Sequence, residues 1–239
     1  MYVNNEVGAI EPVEEIAAAV HRVNPAILFH VDAIQAYGKL VIRPKKQGID
    51  LLSVSAHKIH GPKGVGFLYV DERVKIKPLL YGGGQQKGMR SGTENVPGIA
   101  GLGVAAKEMY RDHGEKIAYI AGVKDYLIER MGALDGVTIN SFKGMESAPQ
   151  IVSASFAGVR SEVLLHALED RGVYVSSGSA CSSNHPAVSG TLKAMGVKKE
   201  LLDSTLRFSL GVFNKKEEVD YCVEALEELL PALRRYHRG

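Results

Sequence analysis

At 239 residues, 45% hydrophobic and 23% charged, the chain is long enough for one large or two modest domains and can bury a sizeable core. A net charge of +2 without a lysine/arginine stripe gives no footprint for nucleic acid, and no apolar run approaches the length of a membrane span. Only two cysteines are present, Cys181 and Cys222, in very different surroundings. That argues against a disulfide framework and for a reducing, cytoplasmic setting.

In chain order, the first half alternates helix and strand. Pro12 suits the first turn of a helix whose apolar positions Val13, Ile16, Ala17 and Val20 follow the i, i+3, i+4, i+7 rule. An apolar strand over residues 27–31 ends at Asp32, with Gln35 three residues on. A second strand stops at Ser55, just before His57 and Lys58, and the glycine-rich Gly61-Pro-Lys-Gly64 leads into a third over residues 67–70. This alternation predicts a mostly parallel sheet with crossover helices. A loop at Gly82-Gly-Gly84 and a helix from Asn95 to about residue 110 follow.

Composition shifts around residues 111–114, which places a domain boundary between 1–112 and 113–239. The rear half reads as a smaller α+β domain. It has helices over 116–131 and 162–171, the latter stopped by Gly172, and strands over 137–140, 151–156, 173–176 and 206–210. The last helix opens at Asn214 with capping-box spacing to Glu217, and its apolar face is Val219, Cys222, Val223, Leu226, Leu229 and Leu233. Cys222 is thereby a core residue.

Four residues carry the chemistry. Lys58 stands where a strand runs out; hemmed in by apolar residues and tight turns, its amine is expected to lose hydration and to form a Schiff base, while a solvated loop lysine is the plainer reading of the residue taken alone. Asp32 ends the preceding strand, and ligands of open parallel sheets gather at such ends. Capping of a following helix explains Asp32 equally well. Cys181 sits in a run of small polar residues, Ser176-Ser-Gly-Ser-Ala-Cys-Ser-Ser-Asn184, where a thiolate has the freedom to swing between partners; an incidental loop cysteine is the plainer reading. Arg207 interrupts an apolar strand and wants either an internal salt bridge or a carboxylate to grip. Cys181 and His185 make only a weak zinc pair, so no metal site is expected.

The segments Phe29-His-Val-Asp-Ala33 with Gln35, Ser55-Ala-His-Lys58, Gly61-Pro-Lys-Gly64, Gly82-Gly-Gly84, Arg90-Ser-Gly-Thr-Glu-Asn95, Ser176-Ser-Gly-Ser-Ala-Cys181 and Arg207-Phe-Ser-Leu-Gly211 occur in one order and spacing. This pattern resembles the cysteine desulfurases, class V aminotransferase relatives that serve nitrogen fixation and iron–sulfur cluster assembly. The likeness covers essentially the whole chain. Family members carry a large N-terminal part ahead of the segment that here begins Met1-Tyr-Val-Asn-Asn5. The resemblance therefore implies the rear part of the large α/β domain of a fold-type I pyridoxal phosphate transferase in 1–112, and its small α+β domain in 113–239.

It further implies pyridoxal 5'-phosphate as cofactor, L-cysteine as substrate and a persulfide on Cys181. Lys58 would bind the cofactor and Asp32 would face its ring nitrogen. Ser55 and His57 would hold the phosphate, joined by Thr93 from the neighbouring subunit of a homodimer; helix capping is the alternative for Thr93. Asn5 and Gln35 would bond the phenolic oxygen, although Asn4 offers the same side chain beside Asn5. Arg207 would clamp the substrate carboxylate. An iron–sulfur scaffold or another sulfur-acceptor protein is the implied partner. Family members draw a stacking ring and a phosphate loop from their N-terminal part, so weak cofactor binding is expected of these residues by themselves. A selenocysteine lyase or other lyase of the fold, and a non-catalytic docking module, are the competing readings.

Overall fold

The computed structural model describes residues 1–177 and 189–235. Two compact units are formed, one from Met1–Val3 with Glu11–His113, the other from Asn4–Ile10 with Gly114–Gly239.

In the first unit, helix α1 (Val13–Val23) carries Glu14 and Glu15 in its first turn and His21 and Arg22 in its last, matching the helix dipole. It buries only the i, i+4 line Val13–Ala17, which leaves Ile16, expected inside, 37% exposed. Strand β1 (His30–Asp32) pairs in parallel with β2 (Leu51–Ser55), and β2 pairs antiparallel with β3 (Gly66–Val70). The sheet is therefore mixed rather than mostly parallel. The link from β2 to β3 is a single 3-10 turn, Ala56–Ile59, and a glycine-rich loop, too short for the crossover a parallel partner needs. β1 is also shorter than residues 27–31 suggest, because the Asp50 carboxylate accepts the Phe29 N–H at 2.8 Å in place of a ladder bond. Helix α2 (Val96–Tyr110) is capped by Asn95, whose side chain accepts the Gly98 N–H at 3.1 Å. Its Gly98 and Gly101 face Val65 and Pro62 so closely that a Cβ would lie 2.5 and 2.7 Å from them, which lets the helix rest on the loop after Lys58.

The second unit follows with α3 (His113–Gly132), β4 (Val137–Ile139), β5 (Ile151–Phe156), α4 (Ser161–Glu169), β6 (Ser176–Ser177), α5 (Gly190–Ala194), β7 (Thr205–Ser209) and α6 (Lys216–Arg235). Its sheet runs β4-β5-β7-β6 with every pair antiparallel. The strand expected over 173–176 starts later. The Val173 N–H closes α4 through a bond to the Leu168 carbonyl, with Gly172 at φ +75°. The core joins Leu127 and Met131 of α3, Phe156 of β5, Leu164 of α4, Leu206 of β7 and Leu226 of α6. Cys222 lies in the same core, and burial pushes its thiol up to about 11, so it is inert. The capping box of α6 is displaced by one residue: Glu218, not Glu217, reaches back to the Lys215 N–H at 3.1 Å. No helix among the described residues is long and apolar enough to cross a membrane.

Candidate functional site

In the first unit, parallel pairing brings the carboxyl ends of β1 and β2 to one sheet edge. The ladder sets Asp32 beside Ser53, so Asp32 and the turn after Ser55 leave the sheet on the same side. Asp32 is exposed, and its Oδ1 accepts the Ile34 N–H at 2.9 Å. It stabilises a turn; no helix follows for it to cap. Partly buried Gln35 lies in that turn. Ser55 is half-buried at the end of β2, while His57 and Lys58 project from the 3-10 turn and are both exposed.

The exposure of Lys58 corrects the expectation of a desolvated amine. The dehydrated lysine here is Lys39, 6% exposed, whose Nζ donates to the Lys58 carbonyl at 2.9 Å. Burial, and then the neighbouring Lys58, bring Lys39 down to about 8. Nothing in the sequence marked it, since a lysine after the Gly38 turn reads as a solvated loop residue. Thr93 is exposed ahead of α2, and the capping alternative for it falls because Asn95 makes that bond.

In the second unit, Arg207 lies at the centre of a small network. It stands on β7 between Ser153 of β5 and Ser176 of β6. Its Nη1 donates to the Asn5 carbonyl at 2.8 Å and its Nη2 to the Ser176 hydroxyl at 3.1 Å. Both terminal nitrogens of the fork are thus held by groups of this unit, and the small serines beside it leave the guanidinium half-buried rather than enclosed. Of the two adjacent asparagines, Asn4 makes the local turn, its side chain accepting the Glu6 and Val7 N–H groups at 2.9 and 3.0 Å. Glu6, unremarked in the sequence, accepts the Ser189 and Thr191 hydroxyls at the start of α5. Cys181 and His185 lie outside the described residues. Among the described residues, no group of three or more His, Cys, Asp and Glu is placed to hold a metal ion.

The model of the aminotransferase class-V family matches residues 1–222. This chain belongs to that family. It is 44% identical over 236 residues to the mitochondrial cysteine desulfurase of Saccharomyces cerevisiae, a match that covers 98% of the chain and 46% of that protein. To the cysteine desulfurase IscS of Dictyoglomus turgidum it is 39% identical over 235 residues, covering 98% of the chain and 59% of the relative. The α/β fold is similar to that of a solved NifS-like protein, with a TM-score of 0.88 and 39% identity over 98% of this chain and 60% of that one. The chain thus spans about half the length of the curated relatives it matches.

Proposed function

We propose that this chain carries the reactive lysine, the persulfide cysteine and the substrate clamp of a pyridoxal phosphate-dependent cysteine desulfurase. The observation that supports it most is the sheet edge of the first unit. There an acceptor, Asp32, and the donors Ser55, His57 and Lys58 emerge together in a chain whose relatives are named cysteine desulfurases. This donor set fits the cofactor. Hydroxyl, imidazole and ammonium groups suit a phosphate and an aldehyde, and an exposed carboxylate suits a protonated ring nitrogen.

When bound, pyridoxal phosphate supplies an electron sink for charge released at the substrate Cα. Asp32 keeps the proton on the ring nitrogen, and Ser55 and His57 hold the phosphate with Thr93 of a second copy. Gln35 and Asn5 donate to the phenolic oxygen. Lys58 supplies the amine that the aldehyde carbon requires. Arg207 exchanges part of its hydrogen bonding to Ser176 and Asn5 for the carboxylate of L-cysteine. The Cys181 thiolate attacks the substrate sulfur: the S–S bond forms, the Cβ–S bond breaks, and Cβ takes a proton to leave L-alanine. The persulfide then passes to an acceptor protein such as an iron–sulfur scaffold.

Titration with pyridoxal phosphate followed by L-cysteine tests the reading. The expected result is visible absorbance, alanine release, and a Cys181 peptide heavier by one sulfur atom. Lys58→Ala should abolish the absorbance. Cys181→Ala should keep it while sulfur transfer stops, and undiminished transfer in that variant would remove Cys181 from the mechanism.

A further inference from the structure

A cleft of about 540 Å³ opens within the second unit. Its floor is apolar: Leu127 of α3, Phe208 of β7, and Val219 and Cys222 of α6 line it, and none is more than 6% exposed. Alternation along β7 puts Phe208 on the face opposite Arg207, so the cleft is separate from the residues assigned to the substrate.

Two strands part to make it. β6 pairs with β7 at Ser177–Leu206 and Ser176–Arg207, and the ladder goes no further, although Tyr174 and Ser209 come opposite next in that register. The Val173 N–H is taken instead by the Leu168 carbonyl at 2.9 Å, with Gly172 at φ +75°, which draws this stretch off toward α4. On the other side, the Leu210 N–H donates to the Gln150 carbonyl at 2.8 Å. Leu210 thus turns its main chain to β5, and Ser209, one residue back, turns its N–H and C=O into the gap. An apolar cleft with a main-chain donor and acceptor side by side at its edge is the result. Its walls are fixed: the Tyr221 hydroxyl donates to the Arg171 carbonyl at 2.9 Å, and the Asn214 side chain accepts the Gly211 N–H at 2.8 Å. Lys215 shares the rim with Glu217 and Glu218, so no net positive charge is there to seat an anion.

We propose that this cleft binds a small, flat, uncharged aromatic molecule bearing a lactam or a comparable N–H and C=O pair. The apolar floor takes the ring, in a volume usual for small-molecule sites. The lactam forms with Ser209 the two hydrogen bonds that a strand partner would have made, and so satisfies both main-chain groups as the apolar surface around them loses water. Tyr174, 79% exposed, stands where its ring can cover the occupant.

The test uses 2-quinolinone as the probe, titrated into the full chain by calorimetry. Saturable binding is expected with a Kd at or below about 1 mM, the range of small fragments. 1-Methyl-2-quinolinone, which lacks the N–H, should bind at least about fivefold more weakly. Ser209→Pro deletes the protein's N–H where no ladder partner needs it, and should weaken 2-quinolinone at least about threefold. Tyr174→Ala should do the same by removing an exposed ring. Circular dichroism shows first that both variants fold. Absence of saturable binding, equal affinity for the two quinolinones, or wild-type affinity in a folded Ser209→Pro would overturn the proposal. If Ser209→Pro does not fold, wild-type affinity in Tyr174→Ala overturns it instead. Displacement of the probe by pyridoxal phosphate would place it at the edge of β1 and β2, and would equally reject the cleft.

Discussion

In the four-stranded sheet β5 is buried at every residue from Ile151 to Phe156, whereas no strand of the three-stranded sheet is buried along its whole length. The difference lies in what covers each sheet. The second unit gathers side chains of α3, α4 and α6 with β5 and β7 in one core. In the first unit Leu68 of β3 is 45% exposed, and Ile27 and Leu28, just ahead of β1, also meet solvent. The packing that stabilises the chain is thus concentrated in the unit carrying Arg207, while the unit carrying Lys58 is the more thinly covered. The contrast also shows that exposed apolar residues can belong to a strand pattern that is perfectly regular in sequence.

The comparison breaks most directly at its cores. Phe156→Ala empties a fully buried position and should cost about 3–5 kcal/mol in urea denaturation, while Leu68→Ala should stay below about 1 kcal/mol. Similar losses from the two substitutions would show that the two sheets are equally covered.

Each unit also buries a lysine, and the two differ in their partners. Lys39 has a carbonyl, whereas Lys124 on α3 donates to the Ser147 hydroxyl at 2.7 Å and to the Gly144 and Ser147 carbonyls at 3.1 and 3.2 Å. Burial brings Lys124 down to about 8 against a small opposing pull from Asp125. The unfolded chain keeps this proton up to about pH 10.5, the ordinary lysine value, so between about 8 and 10.5 it binds more protons than the folded chain. Stability should therefore rise with pH through that window, by about 3 kcal/mol for one such group, and the penalty is fully present below pH 8. Lys124→Met should remove about half of the rise when denaturation midpoints are compared from pH 7 to about 10.5, the other half belonging to Lys39, which is lowered to the same value. An unchanged slope would mean that the Lys124 ammonium is already well solvated.

Lys124 illustrates how much the sequence discloses. It falls on the apolar stripe of α3 with Ile117, Ile120, Leu127 and Met131, so its burial was written in the period of the helix. Likewise, the apolar runs that stop at Asp32 and Ser55 foretold two strand ends, and their parallel pairing turned those ends into one edge. What stayed hidden depends on partners distant in the chain. Asp50 shortens β1 by capturing a backbone N–H twenty-one residues away. Lys39 and Lys58 exchange the expected roles of dry and wet lysine because the Gly38 turn wedges under Ile59 and Met109. The clasp of Arg207 on Asn5 and Ser176 joins residues 202 and 31 positions apart, and no local pattern announces it.

The smallest effects separate two adjacent asparagines. The Asn4 side chain holds two N–H groups of its own turn, whereas Asn5 contributes only its carbonyl to Arg207 among the hydrogen bonds described. Asn4→Ala should therefore lower stability by about 1 kcal/mol, as loss of a side-chain cap does, with little change in affinity for pyridoxal phosphate. Asn5→Ala keeps the carbonyl and so should leave the denaturation midpoint in place, yet weaken cofactor binding if its amide donates to the phenolic oxygen. Measuring both quantities for both variants decides the matter. A destabilised Asn5→Ala with unaltered cofactor affinity would assign Asn5 to the turn and leave Gln35 to bond the phenolic oxygen without it.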